Sequence, residues 1–483
     1  MRLSRLLLAP LAALSLLGAA PAAGPLYQAP QAQADRVRAD VEFLADDLLE
    51  GRQAGKRGHE VAALYVASQF RSLGLQPAGE GGSWYQRVPL RRATTEGTPA
   101  LSLTVAGNAQ PLAYGTDIAI RPSVTERERK FSAPLVFVGH GIQDAPLGMS
   151  DYAGLDVRGK IAVAFAGVPA GLNSEVAAHL GQMKDDFAAA AGAIGLIEIA
   201  PVAGFPAGAV RTAGRPAATD WVDARGGTGN TAKGLRLRGG VSEAVAARLF
   251  TGAPQSLEVV RADAAAGQRP RGFPLQASLS VDARSRWEDF TSPAVLGLLP
   301  GADPKLRGEY VILMGHLDHL GIRADAKPGE DAIYNGALDN AAGIATMLEA
   351  ARAFARSGKP PKRSVLFIAH TAEEIGLLGA SYWASHPTVP AKQVSAAVNL
   401  DMPVPLYDFT DVVAFGADHS TVARTVASAA RTMGISVGPD PMPEQGIFTR
   451  SDHYPLVMKG IPSVLLFTGH ANGGKAVWDR FFA

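Results

Sequence analysis

The stretch that decides the fold is residues 310–318, which read Tyr-Val-Ile-Leu-Met-Gly-His-Leu-Asp. The apolar run predicts a strand, and it leads directly into His316, with Asp318 two residues later. In open α/β sheets, functional groups collect beyond the carboxyl ends of the strands. The segment therefore predicts both a strand of the sheet and the first part of a site.

The chain around this stretch alternates between strand and helix patterns. Apolar runs predict further strands at 364–369, 396–400 and 463–467, and helical periodicity predicts helices at 341–355, after Gly376 and at 421–432. Such alternation is typical of an α/β fold with a mostly parallel sheet and helices on both faces. Two earlier helices are predicted at 34–49 and 59–73.

Acidic and histidine residues follow these strands or begin these helices. Glu373 and Glu374 come after the apolar run at 365–369 and are therefore not a solvated helix face, the usual interpretation of adjacent acids. The chain has no cysteine, so zinc would be held by His, Asp and Glu, the ligands typical of catalytic sites. The candidate ligands are His316, Asp339, Glu374, Asp401 and His453.

This set suits hydrolysis of a peptide bond by two metal ions. The reaction needs an activated water, a polarised carbonyl and a proton shuttle to the leaving amine, which two zinc ions and a free carboxylate supply. Five protein ligands suffice if each ion has two terminal ligands and one carboxylate bridges them. The sequence therefore predicts two Zn²⁺ per chain.

The order and local sequence of these residues resemble the two-zinc metallopeptidase family of bacterial leucyl aminopeptidases and glutamate carboxypeptidase II. The matching segments are Gly315-His-Leu-Asp318, Asp339-Asn340, Glu373-Glu374, Asp401 and Ser451-Asp-His453. The resemblance implies a zinc-dependent exopeptidase with the phosphorylase/hydrolase-like fold. It is strong over residues 286–470 and weaker over 34–126.

The resemblance also implies a role for each residue. One zinc would take His316 and Asp401, the other Glu374 and His453, with Asp339 as the bridge. Glu373 would be the general base, and Asp318 would orient His316. A cis peptide between Asp339 and Asn340 is expected on the same ground.

A second resemblance concerns residues 128–284. Gly139-His-Gly-Ile142, the segment 151–160 and an Ala-rich helix near 183–191 resemble a protease-associated domain, a smaller β-rich unit without catalytic residues. The expected organisation is a discontinuous zinc peptidase domain, residues 23–127 and 285–483, with this domain inserted.

The first 22 residues have the pattern of a signal peptide. Arg2 and Arg5 precede an apolar run at 6–20, and Ala20-Pro-Ala22 suits cleavage. The alternative, a membrane anchor, would need about 20 apolar residues. We therefore expect export to the periplasm or the extracellular space and no membrane attachment after cleavage.

Charge gives no sign of a nucleic-acid partner. The chain has 46 Lys+Arg and 45 Asp+Glu, a formal net charge of +1. The expected partners are peptide or protein N-termini as substrates. The oligomeric state stays open.

Four functions remain in competition. An aminopeptidase leads, and a carboxypeptidase of the same family is second because Arg323 and Arg450 could hold a terminal carboxylate. A glutaminyl cyclase would bind a single zinc, which the full ligand set disfavours. A non-catalytic, receptor-like binding protein would have lost ligands, and none is lost here.

The other histidines are assigned lesser roles. His140 and His179 are expected on the surface or in loops, and His370, His386 and His419 to be structural or exposed. His319 could be a loop or a site residue, and His470 could line the pocket. After the strand at 463–467 the relatives usually continue with a loop and a helix, which this chain is expected to lack.

Overall fold

The computed structural model describes residues 31–202, 215–229, 231–404 and 406–482. The expected signal peptide, residues 1–22, lies outside these ranges. None of the helices in the described ranges combines the length and the apolar character needed to cross a bilayer.

The described elements agree with most of the predicted ones to within a few residues. The helices are α1 Gln31–Leu44, α2 Arg57–Ser72, α3 Ser174–Gln182, α4 Lys184–Ala190, α5 Glu243–Leu249, α6 Leu257–Ala265, α7 Ala342–Arg356, α8 Leu378–Ser385, α9 Val422–Thr432, α10 His453–Val457 and α11 Gly474–Phe482. The strands are β1 Gln76–Pro77, β2 Tyr85–Val105, β3 Asn108–Leu112, β4 Ile118–Ile120, β5 Glu128–Phe137, β6 Gln143–Asp144, β7 Met149–Ser150, β8 Ile161–Phe165, β9 Gly195–Ile199, β10 Ala217–Trp221, β11 Leu237–Val241, β12 Phe273–Leu299, β13 Tyr310–His316, β14 Gly321–Ile322, β15 Ile333–Tyr334, β16 Ser364–His370, β17 Val394–Leu400, β18 Asp411–Phe415, β19 Ser436–Gly438 and β20 Ser463–Thr468.

The main sheet confirms the predicted α/β fold. Its strand order is β19, β18, β20, β17, β13, β16, β12, β5, β8, β9, β11, β4. The pairs β13–β16, β13–β17 and β17–β20 are all parallel, as are β5–β8, β8–β9 and β9–β11. Antiparallel pairs occur where β12 meets β16 and β5.

Helices cover both faces of the first half of this sheet. Alternate side chains of β16 point to opposite faces, as the two-residue period of a strand requires. On one face Phe367 packs in a core with Phe70 of α2 and Leu348 of α7. On the other, Leu366 packs with Trp383 of α8 and with Leu456 of α10.

A long antiparallel ribbon connects the two halves of the sheet. Strands β2 and β12 pair from Val105 opposite Ala277 to Tyr85 opposite Val295. Residues 278–284 of β12 also pair with β5, whereas residues 295–299 pair with β16. One strand therefore belongs to both halves, and a boundary at residues 284/285 would cut it.

The strand pairing also corrects the other predicted boundary. Strand β4, which the sequence placed in the peptidase domain, pairs with β11. Its Ile118 and Ile120 share a buried core with Leu135 and Val163. The segment 108–120 therefore folds with residues 128–284.

The chain does not lack a helix after its last strand, and that expectation is wrong. Helix α11 follows β20, and the ring of its fully buried Trp478 stacks on Phe467 at 5.1 Å between centroids. This contact closes the core beside β18 and β20.

The smaller half of the sheet contains a buried ion cluster. Lys184 at the start of α4 is 2% exposed, and its Nζ lies 2.7 Å from Glu198 Oε1 and 2.5 Å from the carbonyl oxygen of Phe165. Arg238 Nη2 lies 3.1 Å from the other oxygen of Glu198. Burial lowers the pKa of Lys184, and the negative charge of Glu198 opposes the shift.

We expect Lys184→Met to lower the free energy of unfolding by about 3 kcal/mol, because it leaves a buried carboxylate short of a partner. Urea denaturation measures the change. Lys130→Met is the matched control, since Lys130 pairs with Asp282 at an exposed position and should contribute nothing measurable. Equal stabilities for the two variants would contradict a supporting role for the buried cluster.

Candidate metal centre

Parallel register brings the predicted site residues to one edge of the sheet. His316 at the end of β13 is opposite His370 at the end of β16, and Met314 is opposite Asn399 of β17. The chain then continues from β16 to Glu373 and from β17 to Asp401. Since parallel strands end at the same edge, these side chains meet there.

Two groups of potential ligand atoms share His316. The first consists of His316, Asp339 and Glu374, and the second of His316, Glu373 and Asp401, with the atoms of each group within 4.8 Å of one another. His316 Nε2 lies 3.0 Å from Asp339 Oδ1 and 3.2 Å from Asp401 Oδ1. The structure thus brings together four of the five predicted ligands and the predicted base.

Further hydrogen bonds hold Asp401 in place. Ser451 Oγ donates to Asp401 Oδ2 at 2.6 Å and accepts from Asn399 Nδ2, also at 2.6 Å. All three residues are buried. This chain of contacts leaves Asp401 Oδ1 facing His316.

The predicted fifth ligand, His453, is in neither group. It is fully buried at the start of α10, its ring centroid lies 5.6 Å from that of Phe448, and neither ring nitrogen has a hydrogen-bond partner among the described residues. Burial lowers the pKa of His453 to about 3. Its neutral ring is in the form that binds metal.

The resemblance implies that Asp318 orients His316, and the structure shows different contacts for its carboxylate. Its carboxylate accepts from the main-chain N–H groups of Glu373 at 3.2 Å and Glu374 at 3.4 Å. The ring of His316 instead meets the main-chain oxygen of Asp318, 3.1 Å from Nδ1. Asp318 therefore fixes the two glutamates directly and His316 through the backbone.

The turn at Asp339 is tied to the loop that contains Asp401. The Asp339–Asn340 peptide is cis, as the resemblance implies. Asn340 Nδ2 donates to the oxygen of Leu400 at 2.9 Å, and Asn340 Oδ1 accepts from Gly343 N at 3.0 Å. A Cβ at Gly343 would lie 2.1 Å from that oxygen, so only glycine fits.

Sequence analysis assigned no role at this site to Asp452 or Arg52, and it left His319 open between a loop and a site position. His319 Nδ1 lies 2.5 Å from Glu374 Oε1, which makes His319 a site residue. Asp452 is fully buried, and neither of its carboxylate oxygens has a partner among the described residues. The third residue, Arg52, follows a helical turn that is distant in sequence, and no local pattern connects it to the site.

Arg52 joins the backbone segments around the ligands. Its buried guanidinium donates to the carbonyl oxygens of Leu317 at 2.9 Å, Asn335 at 2.6 Å and Gly336 at 2.9 Å, and also to that of Leu44. Burial lowers the pKa of Arg52 to about 10, and the carboxylates of the site oppose the shift. The group remains a cation beside the candidate ligands.

The donor set fits divalent metal ions. Burial raises the pKa of Glu373 well above its ordinary value; His316 opposes the shift and Asp401 adds to it. For His316, burial acts to lower the pKa, but Glu373 and Asp401 raise it well above its ordinary value. Crowded carboxylates beside unpartnered buried imidazole and carboxylate groups favour bound cations, and imidazole with carboxylate suits zinc.

The other histidines that the sequence analysis considered, and Arg323, are in neither group of candidate ligands. His140 lies in a turn, one of the two expected placements, and is buried there against Phe165. His370 is also buried, His470 lies beside Trp478, and Arg323 pairs with Glu330 at 2.7 Å. His179, His386 and His419 contact Tyr454, Tyr382 and Glu175 respectively.

Comparison with known proteins identifies the class. Residues 294–480 match the model of peptidase family M28. The resemblance found in the sequence is thereby confirmed for this segment.

Individual relatives share regions of similar length. Leupeptin-inactivating enzyme 1 of Streptomyces exfoliatus is 31% identical over 192 residues, which are 38% of this chain and 38% of that protein. The probable leucine aminopeptidase 2 of Aspergillus oryzae is 30% identical over 212 residues, 42% of this chain and 39% of that protein. The chain thus spans about two fifths of the length of these curated relatives.

Solved structures align over longer regions. An aminopeptidase from Aneurinibacillus sp. strain AM-1 is 20% identical, with a TM-score of 0.48, over 90% of this chain and 85% of that one. A zinc aminopeptidase from Bacillus subtilis gives a TM-score of 0.40 at 20% identity over 91% and 86%.

We expect Arg52→Lys to lower the free energy of unfolding by about 2–4 kcal/mol and to weaken zinc retention, because an ammonium group cannot reach all four carbonyl oxygens. Denaturant titration and zinc analysis after dialysis against a weak chelator measure the two effects. The control is Arg57→Lys, an exposed position of the same region. Wild-type zinc retention in Arg52→Lys would show that Arg52 does not position the ligands.

Proposed function

We propose that this chain is an exported two-zinc aminopeptidase that removes N-terminal residues from peptides. The observation that carries the proposal is the convergence of His316, Asp339, Glu374 and Asp401 at the ends of parallel strands, with Glu373 among them. Export rests on residues 1–22 of the sequence.

The ligand assignment follows the family pattern. His316 and Asp401 would hold one zinc ion, Glu374 and His453 the other, and Asp339 would lie between them. When bound, the ions would lower the pKa of a water molecule and polarise the carbonyl group of the scissile bond.

The chain's own residues move the proton and orient the groups. Glu373 takes a proton from the attacking water and delivers it to the leaving amine as the peptide C–N bond breaks. Asp318 holds the main chain of Glu373 at 3.2 Å and so fixes the position of the base. Arg52 and Asn340 keep the ligand-bearing loops in register.

A small pocket beside Glu373 suits the side chain of the N-terminal residue. It has a volume of about 150 Å³ and also borders Asp339 and Asp401. Its apolar wall consists of Met402, Ile447, Leu465 and Phe467. Apolar side chains of moderate size, such as leucine or methionine, are therefore the preferred residues at the cleaved terminus.

We also assign residues 128–284 to a protease-associated domain that forms a wall of the substrate cleft. Helix α3 contacts the peptidase half, where Glu175 accepts from the main chain of Gly416 at 2.8 Å and Ser174 Oγ donates to Asp440 at 3.1 Å. Trp221 Nε1 of β10 donates to Ser381 of α8 at 3.1 Å. These contacts, and the cavity that Met183, Trp221 and Glu374 line together, support a wall near the loop that contains Glu374.

Arg450 favours a carboxypeptidase as the second candidate. Its side chain is exposed and lines the same 150 Å³ pocket as Glu373 and Asp339, where it could bind a terminal carboxylate. Two leucine-containing peptides separate the activities, one with a free amino end and an amidated carboxyl end, the other acetylated with a free carboxyl end. Cleavage of the first alone supports the aminopeptidase, cleavage of the second alone the carboxypeptidase, and cleavage of neither a binding protein.

We expect Glu373→Gln to keep its zinc while the rate of peptide hydrolysis falls by about 10²–10⁴-fold, the usual contribution of general acid–base catalysis. Metal analysis and steady-state kinetics measure the two quantities. Glu444→Gln, an exposed position outside the site, is the control. Loss of zinc from the Glu373 variant would make this residue a ligand and remove its role as the base.

Zinc stoichiometry tests the role of His453. We expect His453→Ala to retain about one zinc per chain in place of two, because Glu374 and Asp339 alone would hold the second ion poorly. His386→Ala, which removes a half-buried histidine on the same protein, should keep both ions. Two tightly held ions in the His453 variant would exclude it as a ligand.

A further inference from the structure

A large cavity extends from the candidate metal centre to a group of positive side chains. Its volume is about 780 Å³, within the range of about 300–1,000 Å³ that is usual for ligand sites. Asp318, His319 and Glu374 line it on the side of the metal centre. Its other lining residues include four cations, Lys56, Arg92, Arg121 and Arg215.

The three arginines come from separate parts of the fold, and Lys56 precedes α2. Arg92 lies on β2, opposite Thr219 of β10. Arg121 follows β4, and Arg215 precedes β10. Tertiary structure alone brings them to one cavity, and among the described lining residues only Glu288 adds a negative charge away from the metal centre.

Three of the four cations have little compensation within the described part of the protein. Among the described residues, no carboxylate lies within ion-pairing distance of Lys56, Arg92 or Arg215, although Glu288 is the cross-strand neighbour of Arg92. Burial lowers the pKa of Arg121, and the positive charges of Arg238 and Arg215 lower it further, while the carboxylates of Asp185 and Glu198 oppose the shift. The region is thus a positive field that favours an anion.

We propose that this cavity is a carboxylate subsite, in which Arg92, Arg121 and Arg215 bind an anionic group of the peptide on the C-terminal side of the scissile bond. The proposal rests on the proposed peptidase function and specifies its substrate class. A planar carboxylate matches the two-pronged geometry of guanidinium groups.

The carboxylate could be an acidic side chain or the C-terminus of a short peptide. Three peptides of equal length with N-terminal leucine separate these sources. The first has an internal glutamate and an amidated end, the second is neutral with a free carboxyl end, and the third is neutral with an amidated end.

We expect kcat/KM for at least one of the charged peptides to exceed that for the neutral amidated peptide by about 10-fold or more, mainly through KM. A preference for the first identifies a side-chain carboxylate, and a preference for the second the C-terminal one. The preference should shrink as NaCl rises from about 0.05 to 0.5 M, because salt screens partly exposed charges.

The double variant Arg92→Gln/Arg215→Gln tests the residues. The ratio of kcat/KM between charged and neutral amidated peptides should fall towards one in this variant. The matched control Arg424→Gln removes an exposed arginine on α9, which is not among the residues that line the cavity, and should keep the wild-type ratio. Circular dichroism and zinc content establish that each variant is folded and loaded.

Two outcomes would overturn the proposal. One is equal kcat/KM on all three peptides in the wild type, and the other is an unchanged ratio in the double variant. Hydrolysis of the neutral amidated peptide reports the peptidase activity itself, so these results differ from failure of the proposed function. If none of the three peptides is cleaved, calorimetric titration of the wild type with the same peptides decides the matter, and equal affinities would also refute the subsite.

Discussion

The parallel register of β13, β16 and β17 is the constraint on which the rest of the structure depends. These strands end within a residue or two of one another, so the chain leaves each of them at the same edge of the sheet. His316, Glu373 and Asp401 then meet although 57 and 28 residues of sequence separate them in turn. A one-residue slip of any strand would move its side chains to the opposite face and break up the group.

Concentrated negative charge is the second constraint. Asp318, Asp339, Glu373, Glu374 and Asp401 lie around one histidine, and burying carboxylates is costly unless cations or hydrogen bonds compensate. The chain supplies main-chain N–H groups for Asp318 and the buried guanidinium of Arg52. The unpartnered groups of Asp452 and His453 indicate that compensation within the chain is incomplete, which is the physical reason to expect bound metal ions.

The ribbon of β2 and β12 fixes the position of the inserted region relative to the edge of the sheet where the candidate ligands lie. Because β12 pairs with β5 at one end and with β16 at the other, the two halves of the sheet share a continuous strand rather than a linker. The cleft between them is therefore lined from both sides, by Glu374 and His319 on one and by Arg121 and Arg215 on the other. In the proposed function, peptide selection and hydrolysis share this cavity, which has opposite charges at its two ends.

Local sequence determined the elements and most of the centre. Apolar runs and helical periods predicted β13, β16, β17, β20 and α7 to within about two residues, because periodicity reports burial directly. The order of the motifs predicted five ligands and one base. Four of these ligands and the base meet in the structure. Tertiary structure alone decided the roles of Arg52 and His319, the placing of β4 with β11, and the arginine-lined cavity. Each of these depends on contacts between residues far apart in sequence, and the pattern around one residue has no information about a partner that only folding brings near.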